Sequence, residues 1–259
     1  MVRSLRCLYL LAAVVCGACA STASADVLYS SSLTSPPLTA GNLVGQDGWG
    51  AHSGAGSVAV QVGSTGTTLV QGGGSREDVS RNFAAISAGQ TYYFGFDVVV
   101  TGGTTNAYFA HFKDIGTDFT TRVFVTAPTS GGDFTFGLSP AGGAPEATWA
   151  SDFAFGSTNR IIGSYSQGTN EVRLWVNATS ETDPFLSLTD SAANAVSAFA
   201  LRQAGGNSTQ LVSNLVVSTT FQAAAVPEPA SMLLLGVAGV GGLAFRRFRR
   251  KSVSETIAS

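Results

Sequence analysis

Beyond residue 25 the chain has no cysteine, because Cys7, Cys16 and Cys19 all fall within the first twenty-five positions. A protein that loses that segment can form neither a disulfide nor a thiolate metal site, so its stability rests on its core alone. Charge is scarce as well. Only 12% of residues are Asp, Glu, Lys or Arg. Between residues 26 and 225, Arg76, Arg81, Lys113, Arg122, Arg160, Arg173 and Arg202 stand against fourteen carboxylates, a formal balance of −7. An acidic domain repels a phosphate backbone, and nucleic acid is excluded as a partner.

Helical periodicity is nearly absent over the same stretch. In its place, short apolar or alternating runs rich in β-branched and aromatic residues recur between clusters of Gly, Ser, Thr, Asn and Asp. Such runs read as strands, expected at 57–62, 67–70, 81–86, 92–100, 107–112, 119–125, 133–138, 160–166, 171–176, 196–202 and 210–218. Glycine pairs such as Gly102-Gly103 and Gly131-Gly132 supply the positive φ angles of tight connections. About two hundred residues of this kind make one all-β domain, an antiparallel β-sandwich of the jelly-roll type, spanning 26–225.

The two ends carry different signals. Arg3 and Arg6 precede an apolar run from Cys7 to about Ala20, followed by Ala23-Ser24-Ala25-Asp26. This is the pattern of a secretory signal peptide over 1–25, with Ala23 and Ala25 presented to signal peptidase and the cut before Asp26. Gly17-Ala18-Cys19 also matches the small-small-Cys end of a lipoprotein signal, although Cys16 stands where leucine is usual; lipidation of Cys19 is the alternative. At the other end, residues 230–245 carry no charge. At about 1.5 Å per residue they form a helix of ~24 Å against a ~30 Å bilayer core, a short transmembrane span. Arg246, Arg247, Arg249, Arg250 and Lys251 follow as a cytosolic stop, and residues 252–259 are a short polar tail.

Pro227-Glu228-Pro229, the apolar helix and the basic cluster occur in that order and immediately adjacent, over 226–251. This arrangement resembles the PEP-CTERM sorting signal. The resemblance implies a membrane-embedded, exosortase-like peptidase as partner, transient anchoring in the inner membrane of a Gram-negative-type bacterium, and delivery to the cell surface or extracellular matrix. The prolines fix φ and lack amide donors, so they hold the tripeptide extended, as a peptidase substrate must be. A plain C-terminal anchor is the other reading. Within the domain, stretches such as Gly45-Gln46-Asp47-Gly48-Trp49, Tyr108-Phe109-Ala110-His111-Phe112 and Val172-Arg173-Leu174-Trp175-Val176 are similar to laminin-G-like or concanavalin-like jelly rolls. That resemblance implies a surface-building or carbohydrate-binding fold and fixes no function.

Chemistry is thin. A glycosidase needs two carboxylates on one face of a strand, and here Glu77-Asp78 are loop neighbours that read as solvated, while Glu171 precedes Val172-Arg173-Leu174. G-x-S-x-G and H-E-x-x-H are absent, and His52 and His111 are far apart. His111 reads as a hydrogen-bonded strand histidine. No catalytic residue is assigned, and no enzyme is expected. Gly54-Ala55-Gly56-Ser57-Val58-Ala59 has dinucleotide-like spacing but lacks a following helix, so it reads as a turn. Asp114 and Asp118 are weak candidates for calcium ligands, in a loop that reads better as a hairpin turn; no other cofactor is implied. Trp175 alternates into the core, whereas Trp49 and Trp149 flank loops and are the candidate sugar contacts. The expected function is a non-catalytic structural or adhesive surface module, with a carbohydrate-binding module for exopolysaccharide as the alternative and a polysaccharide hydrolase behind both.

Overall fold

The computed structural model describes residues 27–104 and 106–226. The signal segment with Ala23, Ala25 and Asp26, Cys19, the Pro227-Glu228-Pro229 motif, the apolar run, the basic cluster at 246–251 and the tail lie outside the described residues. Sixteen strands and one short helix follow in order. The first eight strands are β1 (Val27–Ser31), β2 (Gly41–Asn42), β3 (Trp49–Ser53), β4 (Gln61–Val62), β5 (Thr67–Gly72), β6 (Asp78–Asn82), β7 (Thr91–Thr101) and β8 (Ala107–Lys113). The next eight are β9 (Phe119–Thr126), β10 (Thr135–Ser139), β11 (Ala147–Thr148), β12 (Thr158–Ser166), β13 (Glu171–Val176), β14 (Leu186–Thr189), β15 (Ala198–Leu201) and β16 (Gly205–Ser218), and α1 (Phe221–Ala225) closes the chain of elements.

The strands form two antiparallel sheets. Nine lie in the order β14-β13-β12-β7-β16-β5-β4-β2, with β1 added against β16, and seven in the order β11-β10-β9-β8-β15-β6-β3. Two apolar faces need only alternate side chains to close on each other, and β7 shows this plainly. Tyr92, Phe94, Phe96, Val98 and Val100 point into the core, while Tyr93, Gly95 and Asp97 take the opposite face. Across the interface Phe94 meets Phe112 at 4.8 Å and Phe199 at 5.2 Å, and Phe96 meets Phe109 at 5.9 Å. Gly163 is Phe94's cross-strand partner, and a side chain there would collide with that ring.

All eleven expected strands overlap observed ones, and in two of them, 57–62 and 81–86, only two of the expected residues are in a strand. Residues 57–60 form a loop because the Glu77 carboxylate takes the amides of Gly56 and Val60, at 2.8 and 3.1 Å, and Val58 turns at φ 50°. Residues 83–86 run on past the end of β6. Five strands were not expected: β1, β2, β3, β11 and β14. β3 reads Trp-Gly-Ala-His-Ser, without period-2 patterning, and is extended because β6 pairs with it.

The last elements close the outer face of the nine-stranded sheet. β16 is bulged at Asn214, which sits at φ 52° where the pairing to β7 slips between Ser213 and Val216. Asn214 Nδ2 donates to Asp97 Oδ2 at 2.7 Å, and Arg160 Nη1 donates to the other Asp97 oxygen at 3.2 Å and to the Asn214 carbonyl at 2.8 Å. Arg160 Nε reaches the Ala224 carbonyl of α1 at 3.2 Å. Phe221 of α1 meets Trp175 at 5.1 Å and Tyr93 at 6.3 Å, and α1 lies so close over Gly95 that any side chain there would clash. No helix among the described residues is long and apolar enough to cross a membrane.

Candidate functional site

Trp49 is withdrawn as a sugar contact. It is 2% exposed, and its indole N–H donates to the Tyr29 hydroxyl at 2.9 Å, which in turn donates to Asp47 Oδ2 at 2.8 Å. Arg81 covers the Tyr29 ring at 4.7 Å. Burial, and then the hydrogen bond to Asp47, push the Tyr29 phenol up to about 12. The loop position of Trp49 was misleading because β3 is a strand whose alternate residue faces the core. Trp149 follows β11, at the opposite edge of the same sheet, and is half-buried against the core. Trp175 is fully buried, as expected. The three tryptophans therefore share no platform.

Asp114 and Asp118 build a hairpin turn between β8 and β9. Asp114 Oδ1 accepts the Asp118 amide at 3.0 Å, and the Asp114 amide donates to the Asp118 carbonyl at 3.1 Å. Asp114 thus caps its own turn, and no group of three or more His, Cys, Asp or Glu side chains fit to hold a metal occurs among the described residues. The hairpin turn expected for this loop is thus present.

Glu77 and Asp78 are not solvated, being 3% and 8% exposed. Besides the amides it takes from the 56–60 loop, the Glu77 backbone carbonyl accepts Gln203 Nε2 at 3.0 Å. Asp78 accepts the Ser53 hydroxyl at 2.7 Å and the Gln203 amide at 2.8 Å. Both carboxylates serve as joints between chain segments far apart in sequence. Buried acids are kept only when so satisfied.

The two histidines, distant in sequence, meet on the outer face of the seven-stranded sheet. His111 on β8 pairs with Ala200 of β15, whose small side chain leaves the imidazole room. His52 of β3 stands edge-on to it at 6.1 Å, and Phe119 packs against both, at 4.6 Å from His111 and 6.0 Å from His52. His111 is fully buried, yet neither ring nitrogen has a hydrogen-bond partner, nor does Nδ1 of His52. The expected hydrogen bond of His111 is therefore corrected. Above them, Arg202 and Arg122 both stack on the Tyr108 ring, at 4.2 and 4.9 Å. Burial, reinforced by the neighbouring His52, Arg122, Arg202 and Lys113, holds His111 well below the ordinary histidine value of 6.5. His52 is lowered by burial, opposed by Asp78 and reinforced by Lys113 and Arg202. Arg122, Arg202 and Tyr108 carried no motif, and only their placement on neighbouring strands unites them.

Two clefts lie elsewhere on the described surface. One of about 720 Å³ is lined by Ser30, Ser31, Pro37, Leu38, Gln46 and Asp47. A smaller one, about 190 Å³, includes Tyr93, Ser164, Glu171, Arg173 and Glu181. There the Tyr93 hydroxyl donates to Glu181 Oε1 at 2.7 Å, and burial with that bond raises its phenol. Arg173 pairs with Glu171 at 2.8 Å, and Ser187 donates to the other Glu171 oxygen at 2.6 Å. The charged groups of this cleft and the Tyr93 hydroxyl already have partners.

Comparison with known proteins agrees with both halves of the chain. Residues 225–250 match the PEP-CTERM protein-sorting motif, the mark of proteins that are exported, processed by an exosortase and sorted to the cell surface. No curated protein matches the chain. Among solved structures, a sialidase superposes with a TM-score of 0.51 at 12% identity over 75% of this chain. The chain covers 19% of that sialidase's length, so what is shared is a β-sandwich fold. The exoplasmic/lumenal domain of VIP36 in its Ca²⁺/Man-bound form gives a TM-score of 0.45 at 10% identity, covering 76% of this chain and 92% of that one. The carbohydrate-binding module CBM66 from Bacillus subtilis gives 0.40 at 13% identity, covering 66% and 95%.

Proposed function

We propose that the sandwich is a non-catalytic structural or adhesive module carried to the cell surface or extracellular matrix by its C-terminal sorting signal. The observation that carries this is how near the described fold comes to the sorting motif. α1 is pinned to the nine-stranded sheet by Arg160 and Phe221, ends at Ala225, and is separated from Pro227 by Val226 alone. The delivered domain and the sorting motif thus abut without a linker. Glu77, Asp78 and Asp97 are each spent on holding the scaffold, which supports a role without turnover.

Mass spectrometry of surface-extracted protein tests the reading. A C-terminus near Pro227-Glu228-Pro229 is expected, whereas surface copies that all end at Ser259 would leave a plain anchor. Sustained turnover of any polysaccharide by the purified protein would overturn the non-catalytic part.

A second reading, a carbohydrate-binding module, is favoured by the half-exposed ring of Trp149 and the hydroxyl-lined cleft beside Ser30 and Gln46. Rings and hydroxyls of this kind pack on and hydrogen-bond to sugars. A glycan array probed with wild type and Trp149→Ala separates the two readings, since saturable binding lost in the variant supports the second.

A further inference from the structure

The domain carries an excess of carboxylates, yet one face concentrates its cations. On the outer side of the seven-stranded sheet Lys113 from β8, Arg122 from β9 and Arg202 just beyond β15 stand around the imidazoles of His52 from β3 and His111 from β8. The two guanidinium groups lie over one ring, that of Tyr108, at 4.2 and 4.9 Å. Like charges gathered this way repel unless something negative sits between them.

The carboxylates facing the patch offset it only in part. Asp78 approaches Arg202 Nε only to 3.9 Å and is already held by Ser53 and Gln203. On the Arg122 side, Asp190 is occupied by Thr120 and Asn194, and Glu146 by Ser139. Arg122 Nη1 donates to the Gly142 carbonyl at 3.0 Å, a neutral partner. Lys113 Nζ likewise finds the Asp114 carbonyl at 2.7 Å.

Hydrogen bonding points the same way as charge. Four ring and guanidinium nitrogens here are buried with no partner: both of His111, Nδ1 of His52 and Nε of Arg122. A neutral imidazole carries one N–H whichever tautomer it adopts, so at least one donor on the fully buried His111 is unmet. An oxyanion supplies what these donors and the two arginines lack, since guanidinium groups grip carboxylates through paired N–H bonds. Beside them, the half-buried ring of Phe119 offers an apolar face of the kind that pyranose rings pack against.

We propose that this face is an anion site for a carboxylate-bearing sugar, with Arg122 and Arg202 holding the carboxylate, His111 donating from the floor and Phe119 meeting the sugar ring. The partner class is an acidic polysaccharide. This deepens the adhesive reading by naming what is adhered to and rests on it only for delivery to the surface. Because the domain as a whole is acidic, a polyanion is held by this patch and repelled elsewhere.

The test uses the full chain purified in detergent and a labelled oligogalacturonate, with its carboxyl-reduced neutral counterpart and inorganic sulfate as controls. Expected is saturable binding of the oligogalacturonate, at least tenfold weaker for the neutral oligomer and for Arg122→Gln and Arg202→Gln, and unchanged for Arg76→Gln, which makes the same charge change away from the site. Melting temperatures of all variants show that each is folded. Absence of saturable binding, equal loss in Arg76→Gln, or full retention in the Arg122→Gln/Arg202→Gln double variant overturns the site. Competition by sulfate as strong as by the sugar overturns the sugar assignment, leaving an adventitious anion only. Processing at the sorting motif is read separately, so loss of binding with normal processing removes this site and leaves the sorting reading standing.

Discussion

The imidazoles of His52 and His111 meet edge to face at 6.1 Å on the outer side of the seven-stranded sheet, within a ring of positive neighbours. No other histidine is present in the chain, so these are the side chains whose ordinary value lies nearest neutrality.

That response has a definite sign. Both histidines are held below 6.5 in the folded protein, so the unfolded chain binds protons first as pH falls. Stability is therefore intact above about pH 6.5 and declines as pH drops below it, by at most about 1.4 kcal/mol per pH unit for each proton. The groups facing the pair are Asp78 from β6, Lys113 from β8, Arg122 from β9 and Arg202. Melting curves between pH 7.5 and 5 should show this decline, and His111→Gln should flatten it. An unchanged slope in the variant would place the proton uptake elsewhere.

A separate acid response is expected from Asp152. Its carboxylate accepts the amides of Thr129, Ser130 and Gly132, and the Thr129 bond leads the effects that hold it well below the ordinary value of 3.8. The stability it adds is present above that value and lost as pH falls further. Asp152→Ala should raise hydrogen exchange at those three amides at neutral pH, with the core strands unaffected.

Trp49→Ala should behave as a core mutation. Removing a buried indole leaves a large cavity and takes away the N–H that the Tyr29 oxygen accepts, at a cost of about 3–5 kcal/mol in denaturant unfolding. Trp149→Ala, at a half-buried site, should cost clearly less. Similar losses at the two positions would contradict their different burial.

Phe221 anchors α1 between Tyr93 and Trp175. Phe221→Ala should weaken docking of this segment by about 3 kcal/mol, roughly a hundredfold more local opening. Limited proteolysis near residues 221–226 should accelerate accordingly, with the sheets remaining protected.

What the amino-acid order settled by itself was whatever depends on neighbours along the chain. Period-2 alternation in β7 or β13 declares a strand and its buried face, and tripeptide, apolar run and basic cluster form a linear signal that needs no fold to be recognised. Tertiary structure decided the rest, because burial and hydrogen bonding depend on partners far away in sequence. Trp49 follows a glycine-rich loop, yet pairing with β6 turns it into the core. Glu77 and Asp78 have the composition of a surface turn but are buried because Gly56, Ser53 and Gln203 come to them. The cationic face exists only because β3, β8, β9 and the end of β15 bring side chains separated by up to 150 positions, His52 to Arg202, onto one surface.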